Sequence, residues 1–226
     1  MRISIVVPTL NEEAEIAATI RALQNLRGEK EILIADGGST DRTIAIAGQL
    51  GATVVHAPRG RGPQMHAAAA EATGDVLWFV HADTKPPAGA ICDIERALRA
   101  KLVVGGNFGL VFDGTSRAAR QLTFIYPVLR LFRLCYGDSG IFIRREVYDR
   151  IGGFRPLALF EDLDLLRRMR RAGRFVHLPS RITTSSRRFE QRNFALVWLH
   201  WTSLQLLYWC GAPPNWLANR YRHVRR

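Results

Sequence analysis

The chain has 226 residues, 47% of them hydrophobic and 23% charged, which suits one domain with a real core and excludes global disorder. Three scattered cysteines, Cys92, Cys135 and Cys210, form no C-x-x-C pair, which excludes a disulfide scaffold and argues against a zinc–thiolate site. The formal net charge is +12, and the excess lies late: residues 1–113 carry 11 basic and 13 acidic side chains, residues 114–226 carry 21 and 7.

Such an asymmetry fits a polyanionic partner (nucleic acid, anionic lipid or a phosphorylated substrate) or a solvated arginine-rich face. Only Lys30, Lys85 and Lys101 are lysines, so arginine usage is general in this sequence. The apolar stretch at the N-terminus is too short for a signal peptide, so the expected location is the cytoplasm.

Ile3–Val7 is a continuous β-branched run, as in a buried parallel strand. Asn11 is then expected to cap a helix to about Leu26, with Glu12, Glu13 and Glu15 in its first turn, where the helix dipole favours anions. Glu31–Ala35 predicts a second strand, followed by the loop Asp36-Gly37-Gly38-Ser39-Thr40-Asp41 and a helix ended by Gly51. Thr53–His56 predicts a third strand, Pro58–Pro63 a loop, Gln64–Ala72 a helix and Val76–Val80 a fourth strand. This β-α order predicts a mostly parallel sheet with helices on both faces.

In the second half, Val103–Phe112 is expected to be strand-rich. Ser116–Cys135 reads as an amphipathic helix carrying Arg117, Arg120, Arg130 and Arg133 and kinked at Pro127. Ile141–Ile143 and Phe175–Leu178 read as short strands, and Glu161–Ala172 as a helix stopped by Gly173. Phe194–Cys210 is apolar on every side, and Pro213-Pro214 is expected to end its helix.

In open sheets of this kind ligands bind beyond the carboxyl ends of the strands. The polar clusters Thr9–Glu12, Asp36–Asp41 and His81–Thr84 all follow strand ends, so they are expected to share one rim. There Asp36 can accept from a base N–H or a ribose hydroxyl, and Gly37 lets a ligand approach the backbone. Asp83 can hold a divalent cation against a leaving diphosphate; oxygen ligands favour Mg²⁺ or Mn²⁺, and His81 tilts the choice toward Mn²⁺. Asp162, opening a helix after Glu161, is a candidate general base for an acceptor hydroxyl. Each cluster also has a purely structural reading as a turn or a helix start.

Taken together, Val7-Pro8-Thr9-Leu10-Asn11-Glu12, Asp36–Asp41, Gly74-Asp75-Val76, His81-Ala82-Asp83, Gly152-Gly153-Phe154 and Glu161-Asp162 resemble the family-2 glycosyltransferases of the GT-A fold. The match spans roughly residues 3–190 in the family's order. His81-Ala82-Asp83-Thr84, Gly137-Asp138 and Thr184-Ser185-x-Arg187-Arg188 further resemble a short bacterial and cyanobacterial subgroup. The resemblance implies a Rossmann-like GT-A domain over 1–190, with a nucleotide-binding half (1–113) and an acceptor-side half (114–190), plus an apolar helical appendage and basic tail over 191–226.

It also implies inverting transfer from a nucleotide-diphosphate-sugar, with UDP as the expected carrier, to a hydroxyl acceptor. The implied nucleotide contacts are Pro8, Thr9, Leu10, Asn11, Glu12, Asp36, Gly37, Arg61, His81 and Ala82. Asp83 is the implied metal ligand for Mn²⁺ or Mg²⁺, and Asp162 the base beside Glu161. Gly137, Asp138 and Ser139 line the donor-sugar or acceptor side.

Three departures from the family pattern stand out. His81 replaces the first Asp of D-x-D. Met65 and His66 stand where many relatives have Arg-Asn, leaving Arg59 or Arg61 to meet phosphate. No His follows the late strand as a further metal ligand; His177 lies within that strand and reads as structural. Arg187 and Arg188 are therefore candidates to hold the diphosphate directly, since guanidinium forks match phosphate oxygens.

Asn193 to Asn219 contains no charged residue, and Arg220, Arg222, Arg225 and Arg226 follow. That composition leaves open a peripheral contact with an anionic membrane, a contact with another subunit or the core, and a span. A membrane contact goes with a lipid-linked acceptor. The competing functions are a non-catalytic relative of the same fold, a nucleotidyltransferase, which would want a lysine in the first loop, and a nucleic-acid-binding module. The tryptophans cluster in an uncharged segment, which argues against nucleic acid.

Overall fold

In the computed structural model, residues 1–114, 117–131, 137–185 and 194–222 are described. The chain runs β1 (Ile3–Thr9), α1 (Ile16–Gln24), β2 (Lys30–Asp36), α2 (Thr43–Gln49), β3 (Thr53–His56), α3 (Arg61–Glu71), β4 (Val76–Phe79), β5 (Thr84–Lys85), α4 (Ala90–Leu98) and β6 (Val103–Phe112). It continues with α5 (Arg117–Leu131), a 3-10 turn (Gly137–Ser139), β7 (Phe142–Arg144), α6 (Arg145–Arg150), α7 (Glu161–Ala172), β8 (Arg174–Thr184), α8 (Phe194–Trp209) and α9 (Pro214–Arg222).

The strands form one sheet in the order β3-β2-β1-β4-β7-β6-β8-β5. β1, β2, β3 and β4 pair in parallel, as do β6 and β8, while β7 and β5 run antiparallel to their neighbours. The parallel majority expected from the sequence is thus present.

The period-2 alternation explains the two cores. Ile5, Val7, Trp78 and Val80 face Ile16, Ile20, Ile91 and Ile94 of α1 and α4. Val6, Leu77 and Phe79 face Met65, Ala68, Val147 and Leu165 of α3, α6 and α7. Strands buried on both faces read as continuous apolar runs, and β1 and β4 do.

Several boundaries differ from expectation for local reasons. α1 begins at Ile16, not at Asn11. Asn11 is left-handed (φ 56) and its side-chain oxygen accepts from the Thr40 N–H at 2.9 Å, so it stitches two loops instead of capping a helix. Glu12 carbonyl instead accepts from Glu15 and Ile16, and the acidic residues precede the helix.

α3 starts at Arg61 and carries Pro63 in its first turn, where a missing N–H costs nothing. β8 runs on to Thr184 because a register shift between Asn107/Gly109 and the paired strand absorbs Pro179. Pro214 opens α9 as well as ending the apolar segment. Helices α4 and α6 and strand β5 were not anticipated. Arg133 and Cys135 lie outside the described residues.

Candidate active site

The register places Thr9 directly opposite Asp36, and Val6 opposite Phe79, so the carboxyl ends of β1, β2 and β4 form one rim. β7 runs the other way, so the turn Gly137–Ser139 that precedes it reaches the same rim. The expected convergence of the loops after β1, β2 and β4 is therefore a consequence of sheet order.

The first two loops are locked to each other. Thr9 carbonyl accepts from Gly37 N–H at 3.0 Å. Asn11 N–H donates to Ser39 Oγ at 2.9 Å, Glu12 N–H to Thr43 Oγ1 at 2.8 Å, and Glu13 N–H to Asp41 Oδ2 at 3.1 Å. Asp36, only 1% exposed, accepts from Gly38 N–H at 2.9 Å and Ser39 N–H at 3.0 Å, so its carboxylate shapes its own loop. Pro8 and Leu10 are half-buried beside them.

Beneath this rim lies Gln64, a residue that the sequence reading passed over. Its buried amide donates to Thr9 carbonyl at 2.7 Å and Ala35 carbonyl at 2.8 Å. A side chain at Gly37 would meet that amide at 2.9 Å, which is why the backbone there must be bare. The signal for Gln64 was a polar residue on the apolar face of α3, between Arg61 and Ala68. Met65 is in the core, and His66 Nδ1 meets Tyr148 Oη at 3.1 Å, so neither faces the rim. Tyr148 Oη also accepts from Phe154 N–H at 3.1 Å. Gly153 (φ 56) leaves no room for a side chain against His66 and Tyr148, which explains Gly152-Gly153-Phe154 as packing.

A second cluster joins α3, α7 and the 3-10 turn. Asp162 Oδ2 accepts from Gly137 N–H at 2.6 Å and Oδ1 from Leu163 N–H at 2.8 Å. Burial and then the neighbouring Glu161 charge push its pKa up to about 6, against the pull of Arg61 and the two N–H donors. Glu161, 3% exposed, is paired through Oε1 to Arg61 Nε at 2.8 Å. This pairing, then the charges of Asp162 and Asp138, hold the guanidinium firmly protonated. His81 Nδ1 lies 3.2 Å from Asp138 Oδ1. A Cβ built on Gly137 would sit 3.3 Å from Asp162 Oδ2 and 3.4 Å from His81 Nε2, so these groups crowd one point.

Phe160, which precedes this pair, is left-handed (φ 64). Among the described residues, it and Asn11 are the only non-glycine positions with positive φ, and both border the site. Arg61, Asp138 and Asp162 line a cleft together with Leu159, Phe160, Trp201, Leu204 and Tyr221. Arg61 is thus placed beside Glu161 and Asp162. The sequence did not predict that α8 and α9 reach this cleft.

The remaining positions divide as follows. Ala82 is buried and its carbonyl accepts from Thr19 Oγ1, so the His81–Asp83 turn is anchored on α1. Ser139 is fully buried and accepts from Asn107 Nδ2 at 2.8 Å. His177, exposed on β8, has its Nδ1 2.6 Å from Asn107 Oδ1. Arg187 and Arg188 lie outside the described residues. Among the described residues no three His, Cys, Asp or Glu side chains gather as a cation cage. Asp83 offers one hard oxygen donor, a set that fits a divalent ion arriving with ligands of its own.

Known proteins supply the remaining comparison. The beta-monoglucosyldiacylglycerol synthase of Synechocystis is 25% identical over 249 residues, covering 95% of this chain and 51% of that protein. The crystal structure of S. aureus TarS superposes with a TM-score of 0.67 at 18% identity, covering 83% of this chain and 61% of the other. Glucosyl-3-phosphoglycerate synthase from Mycobacterium tuberculosis, in complex with Mn²⁺, UDP and glucosyl-3-phosphoglycerate, gives 0.58 at 22%, covering 79% and 70%. The chain spans about half the length of the curated relatives it matches. Residues 4–158 match Glycosyl transferase family 2, and on that match, with the shared fold, the chain belongs to this family.

Proposed function

We propose that the chain transfers a sugar from a nucleoside-diphosphate donor, UDP by preference, to an acceptor hydroxyl with inversion. The observation that carries this reading is Asp162: a carboxylate held by two backbone N–H groups, on the rim where β1, β2 and β4 end, facing a cleft. Its pKa near 6 leaves it ionised at neutral pH yet basic enough to take a proton.

In this reading the acceptor O–H gives its proton to Asp162 as its oxygen attacks the anomeric carbon from the face opposite the diphosphate. The bond from that carbon to the diphosphate oxygen breaks, and the electron pair leaves with UDP. One displacement inverts the centre. The loops at Thr9–Glu12 and Asp36–Gly37 would cradle the nucleoside.

Asp83 would hold a divalent ion, Mn²⁺ or Mg²⁺, which when bound supplies positive charge to the leaving diphosphate. The Mn²⁺ and UDP found in the glucosyl-3-phosphoglycerate synthase neighbour support that choice. Arg187 and Arg188 remain candidates for the same charge. Arg61 and Glu161 act on Asp162 through their charges and hold it in place.

The domain division follows the same reading: a catalytic body over 1–190 and an appendage over 191–226. Its support is that Leu204, Leu217 and Ala218 form with Leu159 a small cluster separate from the two sheet cores. Among the described residues no helix is long and apolar enough to cross a membrane. A cytoplasmic protein touching an anionic membrane peripherally accords with the charge of the second half.

Calorimetric titration with UDP, GDP, ADP and CMP, with and without Mn²⁺, tests the donor side. Metal-dependent binding of UDP, lost in Asp83→Ala, is the expected result. No binding of any of the four would sink the reading in favour of a non-catalytic relative.

A further inference from the structure

The cleft in front of Asp162 is divided in its chemistry. Near the base it offers Arg61 and Asp138, and both are engaged: Arg61 with Glu161 at 2.8 Å, and Asp138 with His81 at 3.2 Å. Its other wall is Leu159, Phe160, Trp201, Leu204 and Tyr221, with Gln205 beside them; carbon dominates it, and its polar atoms are the Trp201 indole N–H, the Tyr221 hydroxyl and the Gln205 amide. A sugar or another polyol buried there would bring more hydroxyls than these few groups can meet, at a cost for each unmade hydrogen bond. A single hydroxyl on an apolar body would place its O–H at Asp162 and its body against the wall.

The helix that builds this wall carries a second feature. α8 turns Leu204 inward, at 3% exposure. Leu199 (66%) and Leu206 (52%) are exposed on the far side of the helix from Leu204, and Leu196 (65%) and Leu207 (40%) are exposed on the flank between. No Asp, Glu, Lys or Arg interrupts the segment from Asn193 to Asn219. On α9 the exposed Trp216 lies under the Arg220 guanidinium, 3.4 Å from the ring centre. Leucines facing water, a tryptophan at their edge and arginines beside them match the depth profile of an anionic bilayer: acyl chains, interface, phosphate. The net positive charge of the second half has the complementary sign.

We propose that α8 and α9 form the acceptor subsite, and that its ligand is a membrane lipid alcohol drawn from an anionic bilayer on which the outer face of α8 rests. Trp201, Leu204 and Tyr221 determine this specificity. The inference rests on the reading of Asp162 as the base and deepens it by naming the acceptor class.

The test uses the full chain and dioctanoylglycerol as probe, with glycerol and 3-phosphoglycerate as soluble hydroxyl controls. Calorimetry is expected to give saturable binding of dioctanoylglycerol, at least tenfold tighter than either control. Leu204→Arg is expected to weaken it at least tenfold. Trp201→Ala, which leaves the Leu204–Leu217 contact in place, is expected to weaken it several-fold, so a misfolded first variant does not decide the matter. UDP titration of each variant checks that the α/β body is intact.

In parallel, the chain is expected to sediment with phosphatidylglycerol vesicles and not with phosphatidylcholine vesicles. The doubly substituted Leu199→Glu, Leu206→Glu chain is expected to lose the vesicles while keeping the probe. Absent or variant-insensitive dioctanoylglycerol binding, with UDP still bound, overturns the acceptor proposal alone. Self-association through the leucine face, with no vesicle binding, overturns the membrane half of it. Failure of the unaltered chain to bind UDP overturns the donor reading, and this proposal with it.

Discussion

At the proposed donor rim, the loops after β1 and β2 are joined by directional hydrogen bonds: Asn11 to Ser39 and Thr40, Glu12 to Thr43, Glu13 to Asp41, and Gln64 beneath them to both strand ends. Across the cleft, α8 and α9 are held by apolar packing around Leu159, Leu204, Leu217 and Ala218. Hydrogen bonds fix position and angle, and at Gln64, where they are buried, the partner cannot be exchanged without losing bonds that water does not replace. Apolar packing tolerates changes of shape that conserve volume. The contrast matches the proposed division of labour, with a donor side built for one nucleotide shape and an acceptor side built from adaptable walls.

The largest effect is expected where the two sides meet. Asp162→Asn removes the proton acceptor and should lower the transfer rate about 10²–10⁴-fold while UDP affinity holds; an unchanged rate would dismiss Asp162 as the base. The same substitution carries a stability signature. The folded carboxyl titrates near 6, above its ordinary 3.8, so the fold is penalised as pH rises through that window, and the penalty is constant above it. Thermal melts should show Asp162→Asn gaining stability over the parent at pH 7 and nothing at pH 3.

Next comes the donor rim. Gln64→Leu removes two buried hydrogen bonds, to the carbonyls of Thr9, which keeps its Gly37 N–H donor, and Ala35, and should cost about 1–3 kcal/mol of stability. Its UDP affinity should fall with it. If the melt is unchanged, the rim is not held as described here. On the opposite side, Leu204→Ala should cost about 2–4 kcal/mol of local stability. Limited proteolysis would then cut at α8–α9 while the sheet keeps its melting point. A single merged loss of both would erase the distinction between the regions.

The smallest effect concerns charge. Glu161→Gln removes the neighbouring negative charge that raises Asp162 and frees the Arg61 guanidinium. The acidic limb of the rate–pH profile should therefore move to lower pH. A shift upward would contradict the electrostatic account.

The central strands were legible because burial on both faces writes itself as continuous apolar runs; β1 and β4 follow that rule. Helix α7 was legible from its acidic start and Gly173 stop. Asn11 misled because its side chain meets Thr40, 29 residues away, and no local pattern encodes that partner. Gln64 was silent for the same reason. Pro179 hid the length of β8, since it sits in a bulge, 177–181, that only the pairing with β6 reveals. Most of all, the aromatic wall of the cleft comes from residues 201–221 folding back on 159–160, a contact between segments 40 or more positions apart. The motif residues were therefore readable one by one, while the space between them was not.

Phe160 has a consequence for regulation by substrate. Its left-handed backbone sets the direction in which α7 and Asp162 start, and its ring stacks on Tyr208 of α8 at 4.9 Å. One residue is thus shared between the aim of the base and the seat of the helix pair. Binding that presses α8 onto Phe160 also stabilises the turn that aims Asp162, and by thermodynamic reciprocity an aimed base strengthens that binding. With Asp162 as the proposed base, an empty acceptor side would leave it less firmly directed and so guard the donor against water. Phe160→Gly keeps the backbone geometry but cuts this link, so it should raise donor hydrolysis relative to transfer.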